Sequence, residues 1–139
     1  MGKPFRYTRP VQWRDTDAAG IVHFSVFFNY MEEAETALLR HCGVDVLVTN
    51  GQDRYSFPRV SAQCDYQSPL RFGDTVDVDV SVVRLGNSSA SYKFQFSCDS
   101  RDVAVGQVTA VYCRLSDQHE PQAVPIPPSI RDQLSQLLP

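Results

Sequence analysis

Hydrophobic and polar positions divide the chain into one helical stretch and a long run of strands. Phe24, Phe27, Phe28, Met31, Ala34, Leu38 and Cys42 recur at the i, i+3, i+4, i+7 spacing of a single helical face. Glu32, Glu33, Glu35 and Arg40 lie between them, and Gly43 supplies a C-terminal stop. The spacing predicts one long helix over Phe24–Cys42. Before it, Phe5 to Trp13 reads as a strand in which Pro10 marks an edge or a bulge. After it, Tyr55 to Leu115 reads as strands. Val76, Val78, Val80 and Val82 alternate with Asp77, Asp79 and Ser81, and Tyr92, Phe94 and Phe96 alternate with Lys93, Gln95 and Ser97. Gly86-Asn87-Ser88 is the turn between these two runs. Val103, Val105, Val108, Val111 and Tyr112 supply the last strand, with a bulge expected near Gly106. Hairpin-connected strands form antiparallel sheets. The predicted class is therefore α+β, an antiparallel sheet with one long helix packed on it. A Pro-rich tail over residues 120–139 ends in a short helix, Ser129–Leu134, with Ser129 as its N-cap.

Length and composition narrow the picture. At 139 residues the chain has the size of one domain, with a core expected over about residues 5–116. Hydrophobic residues at 42% and charged residues at 21% are the mix of a soluble globular domain rather than a disordered one. Thirteen Lys and Arg against sixteen Asp and Glu give a net charge of −3, which argues against a nucleic-acid partner. No apolar run reaches the ~20 residues that span a bilayer, and the first ten residues have no apolar segment of the kind an export signal needs. Cys42, Cys64, Cys98 and Cys113 are widely spaced and form no CxxC pair, so reduced thiols in a cytoplasmic protein are expected. His23, His41 and His119 are not spaced with one another or with Cys as a metal site requires, and no metal or other cofactor is expected.

The densest chemistry lies in Asp15-Thr16-Asp17-Ala18-Ala19-Gly20-Ile21-Val22-His23-Phe24, directly before the helix. A helix start presents unpaired N–H groups and the positive end of the helix dipole, which together polarise a carbonyl or hold an oxyanion. A carboxylate beside it, ionised at neutral pH, attacks a carbonyl or activates water. On composition alone the two aspartates suit an Asx turn that only organises the loop better than they suit catalysis. Cys42 belongs to the apolar helical face rather than to a nucleophile, Cys64 suits a buried strand position, and a lone His23 suits a structural role. No G-x-S-x-G sequence is present, so a nucleophile elbow is absent.

The stretch WRDTDAAGIVHFSVFFNYMEEAE, from Trp13 to Glu35, resembles the signature of hotdog-fold acyl-CoA thioesterases of the 4-hydroxybenzoyl-CoA thioesterase type. A second block follows in order, Phe57-Pro58-Arg59-Val60 through Asp65-Tyr66, then Pro69-Leu70-Arg71-Phe72-Gly73-Asp74, and the resemblance runs from about Phe5 to Leu115. It implies a sheet wrapped around the helix, subunits paired into homodimers or homotetramers with sites between them, and an acyl-CoA substrate. Carried over by position, the catalytic carboxylate falls on Asp17, with Asp15 supporting the loop. The N–H that polarises the thioester carbonyl falls on the Phe24 backbone. The acidic residue that meets the para-hydroxyl of a hydroxybenzoyl group falls on Glu32, which otherwise reads as a solvated helix residue or salt-bridge partner.

Two departures stand out. The basic cluster that contacts the nucleotide end of CoA in the 4-hydroxybenzoyl enzyme is replaced here by Gly86-Asn87-Ser88, leaving Arg84 and Ser88 or Ser89 as the candidates for those contacts. The Tol–Pal-linked branch, which prefers short acyl chains, carries His where this chain has Phe24. The implied reaction is hydrolysis of an acyl-CoA, with an aromatic acyl group favoured. The rivals are a short-chain acyl-CoA thioesterase, a hotdog module that binds acyl-CoA without turning it over, and a hotdog hydratase or dehydratase.

Overall fold

The computed structural model describes residues 3–139. Its elements follow in the order β1 (Phe5–Pro10), α1 (Val26–His41), β2 (Leu47–Asn50), β3 (Asp53–Ser56), β4 (Arg59–Tyr66), β5 (Thr75–Leu85), β6 (Ser89–Cys98), β7 (Arg101–Val111), β8 (Cys113–Leu115), β9 (Gln122–Ala123) and α2 (Pro128–Ser135). A five-stranded sheet in the order β1-β5-β6-β7-β4 is antiparallel throughout, and α1 packs on it. The α+β class read from the alternation is the one observed.

The inward rows are those the period of two predicts on β5 and β6. Val78 pairs with Phe96, Val80 with Phe94 and Val82 with Tyr92, and all six are fully buried. Each such side chain contributes about 1.5–3 kcal/mol by leaving water. On β7 the reading needs correction. The row facing the core is Ala104, Gly106, Val108 and Ala110, while Val105 and Val111 are only half-buried on the other face. Nor is the strand bulged at Gly106, which pairs in register with Cys64 on one side and Phe94 on the other. The glycine is there because the helix comes close: a Cβ at 106 would sit 2.3 Å from Met31 Sδ.

Helix α1 begins at Val26 rather than Phe24, and buries Phe27, Tyr30, Met31, Ala34, Glu35, Leu38 and Leu39. Phe24 is 63% exposed and so is not a core residue. Gly43 ends the helix as expected, with φ +78, its own N–H on the Arg40 carbonyl and the Val44 N–H on that of Leu39. Pro10 closes β1 at the sheet edge opposite Thr75.

Two features were not legible in the pattern. Short strands β2 and β9 join β3 and β8 in a second sheet, ordered β2-β3-β8-β9. The Pro-rich tail is part of the core: Ile126, Ile130 and Leu134 are buried, and the Leu137 carbonyl accepts the Val82 N–H. Helix α2 starts at Pro128 with Pro127 in the cap position, not at Ser129, because proline's fixed φ suits a first helical residue.

Candidate active site

Between β1 and α1 the chain folds into a tight loop whose geometry follows from Asp15. That side chain is buried, and its Oδ2 accepts hydrogen bonds from Arg9 Nη1 at 2.8 Å, Tyr30 Oη at 2.8 Å and the Gln12 N–H at 2.9 Å. Burial alone would push its carboxyl up, but these donors outweigh burial and hold it below the ordinary value. Arg9 in turn grips Glu33 of α1 and lies over the Tyr30 ring. Strand, loop and helix are thereby tied at one point. The Asp15 carbonyl also accepts the His23 N–H, and Thr16 bridges to Val22 across the loop.

Asp17 sits at the exposed tip of this loop. Its Oδ1 accepts the Ala19 N–H at 2.8 Å in an Asx turn, and its backbone pairs with Ile21 and Gly20. Gly20, at φ +80, takes a conformation that disfavours side chains. One oxygen therefore organises the turn, and Oδ2 has no partner among the described residues.

His23 caps the helix start. Its Nδ1 accepts the Ser25 N–H at 3.2 Å and lies 2.7 Å from Ser25 Oγ, and its ring stacks on Phe24. A turn closed by the Val26 N–H on the His23 carbonyl carries the helical path back through Phe24. The Phe24 N–H has no hydrogen-bond partner among the described residues, while its carbonyl accepts Tyr66 Oη at 2.8 Å. Tyr66, on β4, therefore pins the helix start to the sheet. Asp17, Phe24, Phe27, Tyr66 and Leu70 line a pocket of about 430 Å³. Its far wall, Gln67 to Leu70, is held by Arg101, whose Nη1 donates to Ser68 Oγ and the Pro69 carbonyl. Asp17, with one carboxylate oxygen unpartnered, and Phe24, with its N–H unpartnered, thus line the same pocket, and a carboxylate with an N–H is what the addition of an oxygen nucleophile to a polarised carbonyl needs.

The other predicted residues lie elsewhere. Glu32 is exposed and lines a second pocket, of about 260 Å³, between α1 and β4. Arg84 and Ser88 are at the opposite end of the sheet: Pro10, from which the Asp17 loop departs, pairs with Thr75, and Arg84 is nine residues further along β5, about 30 Å at ~3.3 Å per residue. The backbone of the Gly86–Ser88 turn is occupied from two sides, the Tyr112 amide after β7 on the Ser88 carbonyl and the Ile126 amide of the tail on the Asn87 carbonyl. Cys64 is half-buried, its thiol pushed up to about 11 by burial, and lines neither pocket.

Sequence reasoning gave no role to Tyr66, Arg101 or the ion pair between Arg59 and Glu35. Tyr66 and Arg59 stood in the second block of the resemblance. The burial of Glu35 had no signal, since it follows two other glutamates on a helix that reads as polar there.

A sheet wrapped on one long helix is the hotdog fold, and the carboxylate loop that opens the helix narrows the comparison to its thioesterases. The chain belongs to the thioesterase-like superfamily, whose sequence profile matches residues 11–134. It is 32% identical over 114 residues to a putative esterase of Aquifex aeolicus, covering 82% of this chain and 87% of that one. It is 30% identical over 132 residues to a 1,4-dihydroxy-2-naphthoyl-CoA hydrolase of Synechococcus elongatus, with 94% of each chain covered. Among solved structures it is similar to a gentisyl-coenzyme A thioesterase, with a TM-score of 0.80 at 28% identity over 94% of this chain and 99% of that one. The protein is a thioester hydrolase. No helix among the described residues is long and apolar enough to cross a membrane.

Proposed function

We propose that this protein hydrolyses an aromatic acyl-CoA to the free acid and CoA. The observation that carries the proposal is the pairing of the unpartnered Asp17 Oδ2 with the unpartnered Phe24 N–H on one pocket. The Phe24 N–H would polarise the thioester carbonyl. Asp17 would either add to the carbonyl carbon, the C–S bond breaking to leave a mixed anhydride that water then hydrolyses, or take the proton of a water that adds to the carbonyl before the C–S bond breaks. A thiolate, the base of a thiol with pKa about 8.5, leaves without strong acid assistance, so one carboxylate and one amide suffice. The aromatic preference draws on the phenyl rings at the pocket, Phe24 and Phe27, and on relatives named for naphthoyl-CoA and gentisyl-CoA. A 4-hydroxybenzoyl group is one member of that class, and Glu32 stands further along α1 as a candidate for its hydroxyl. Because Arg84 and Ser88 are remote from Asp17 within one chain, any contact they make with the CoA of this site requires a second copy.

The test is free-thiol release from a panel of aryl- and short-chain acyl-CoA esters, with Asp17→Asn beside the wild type. The variant is nearly isosteric and keeps the amide at Phe24. Turnover of aryl esters should fall by about 10²–10⁴-fold with some rate above background surviving. Asp17→Asn with wild-type turnover would remove Asp17 from the reaction. Substrate binding without thiol release in the wild type would make the protein a binding module instead.

A further inference from the structure

Phe24 stands outside the hydrogen-bond ladder of the helix it precedes. Helix α1 starts at Val26, whose N–H bonds to the His23 carbonyl, and the Phe28 N–H bonds to that of Ser25. The Phe24 carbonyl, which a regular helix would offer to Phe28, is passed over. Its ring is exposed and stacks on the neighbouring His23, so packing gives it little hold. Local bonds secure the residues on either side, the His23 N–H on the Asp15 carbonyl and the Ser25 N–H on His23 Nδ1. Among the described residues, the one hydrogen bond that reaches Phe24 itself comes from another element: Tyr66 Oη of β4 donates to its carbonyl at 2.8 Å.

Tyr66 is well placed to hold that backbone group. Its own backbone pairs with Ala104 of β7, and its ring meets Phe27 edge-on at 5.0 Å. Phe27 is buried and set in turn against Phe96 of β6, so the phenol is braced by sheet and helix together. Burial pushes the Tyr66 hydroxyl above its ordinary value, which keeps it a donor across the neutral range. Water could satisfy the Phe24 carbonyl at this half-exposed place, so the fold does not depend on the bond. What Tyr66 adds, and water does not, is a fixed direction.

We infer that Tyr66 is a positioning residue for thioester hydrolysis, tethering the Phe24 carbonyl to the sheet and so aiming the N–H of the same residue at the substrate carbonyl. This rests on the proposed thioesterase reading. The N–H and the carbonyl of Phe24 flank one Cα and are linked by only two soft dihedrals, so freeing one loosens the other. A donor to a developing oxyanion works only at hydrogen-bond distance and near-linear angle, and a misplacement of about 1 Å costs up to ~10²-fold in rate.

The test is Tyr66→Phe, which keeps the ring against Phe27 and removes only the hydroxyl. With an aryl-CoA ester, kcat should fall about tenfold while KM stays within about twofold, because the N–H bond tightens only as the oxyanion forms. Unchanged kcat would overturn the inference. So would a raised KM with kcat kept, the behaviour of a hydroxyl that binds the acyl group directly. A second measurement reads the carbonyl itself. The probe is the methylene analogue of benzoyl-CoA, an aryl ketone that cannot be hydrolysed, carrying ¹³C at its carbonyl. Bound to the wild type, its C=O stretch should lie below the value for the free ketone, and in Tyr66→Phe it should return towards that value. Equal bands in the two proteins would overturn the inference even if kcat fell. A wild type that releases no thiol removes the thioesterase reading and the positioning role with it, whereas equal release by wild type and Tyr66→Phe removes the positioning role alone.

Discussion

Asp15 and Asp17, separated by one residue, do different work because one carboxylate is buried among donors and the other is left at a loop tip. Asp15 gathers Arg9, Tyr30 and the Gln12 amide, and so fixes where Asp17 is presented. Since its folded carboxyl is held below the ordinary value of 3.8, its stabilisation is fully present above pH 3.8 and is lost as pH falls through the lower folded value. Asp15→Asn should therefore cost about 3–5 kcal/mol near neutral pH, as for other broken buried pairs, with the gap closing in acid. Urea titrations of both proteins from neutral pH to below 3.8 check this, and a constant gap would mean that the charge is irrelevant. The same substitution should lower thioester turnover less than Asp17→Asn does, because its effect reaches the pocket only through the loop.

At the scale of elements, Met31 of α1 leaves no room for a side chain at Gly106 of β7. The inward row of β7 is small, Ala104, Gly106 and Ala110 beside Val108, so that the helix can lie close to the sheet. Gly106→Ala would put a methyl 2.3 Å from Met31 Sδ, at a site walled on the other side by the Gln63 carbonyl. Methionine is flexible, so repacking absorbs part of the clash, and a loss of about 1–3 kcal/mol is expected. Adding Met31→Ala should recover part of that loss, a coupling that a double-mutant cycle in denaturant measures. Additive losses would place the strain elsewhere.

For the whole molecule, the two sheet edges differ. On β1 the edge bears ordered ionic and polar side chains, Arg6 on Asp79 and Thr8 on Asp77. The other edge, β4, is 8 residues long and almost wholly exposed, with Val60 64% and Tyr66 45% accessible. A long unpaired edge is a template for another strand. We propose that two copies pair through β4, as the resemblance to hotdog thioesterases implies, beside the pocket that Tyr66 of this strand lines. Light scattering at micromolar concentration should give a multiple of 15.6 kDa, and Val60→Lys should shift the mass towards one chain and lower activity with it. A fully active monomer would sink the shared site.

Some of this was written in local sequence. The period of two on β5 and β6, the helical stripe ending at Gly43 and the carboxylate loop before the helix depend on neighbours a few residues away, which a linear pattern records. Asp17 and Phe24, close along the chain, were named through the resemblance to hotdog thioesterases, whereas Tyr66 of the same pocket was given no role. What the tertiary structure decided involves partners far apart in sequence. Glu35 looks like one more surface glutamate until Arg59 and Tyr92 are brought around it. Gly106 looks like a bulge until Met31 is placed above it. Phe24 fits the apolar stripe, but the turn capped by His23 delays the helix and leaves that ring on the pocket. Burial, close approach and hydrogen-bond accounting arise only between elements, which is why a linear pattern does not record them.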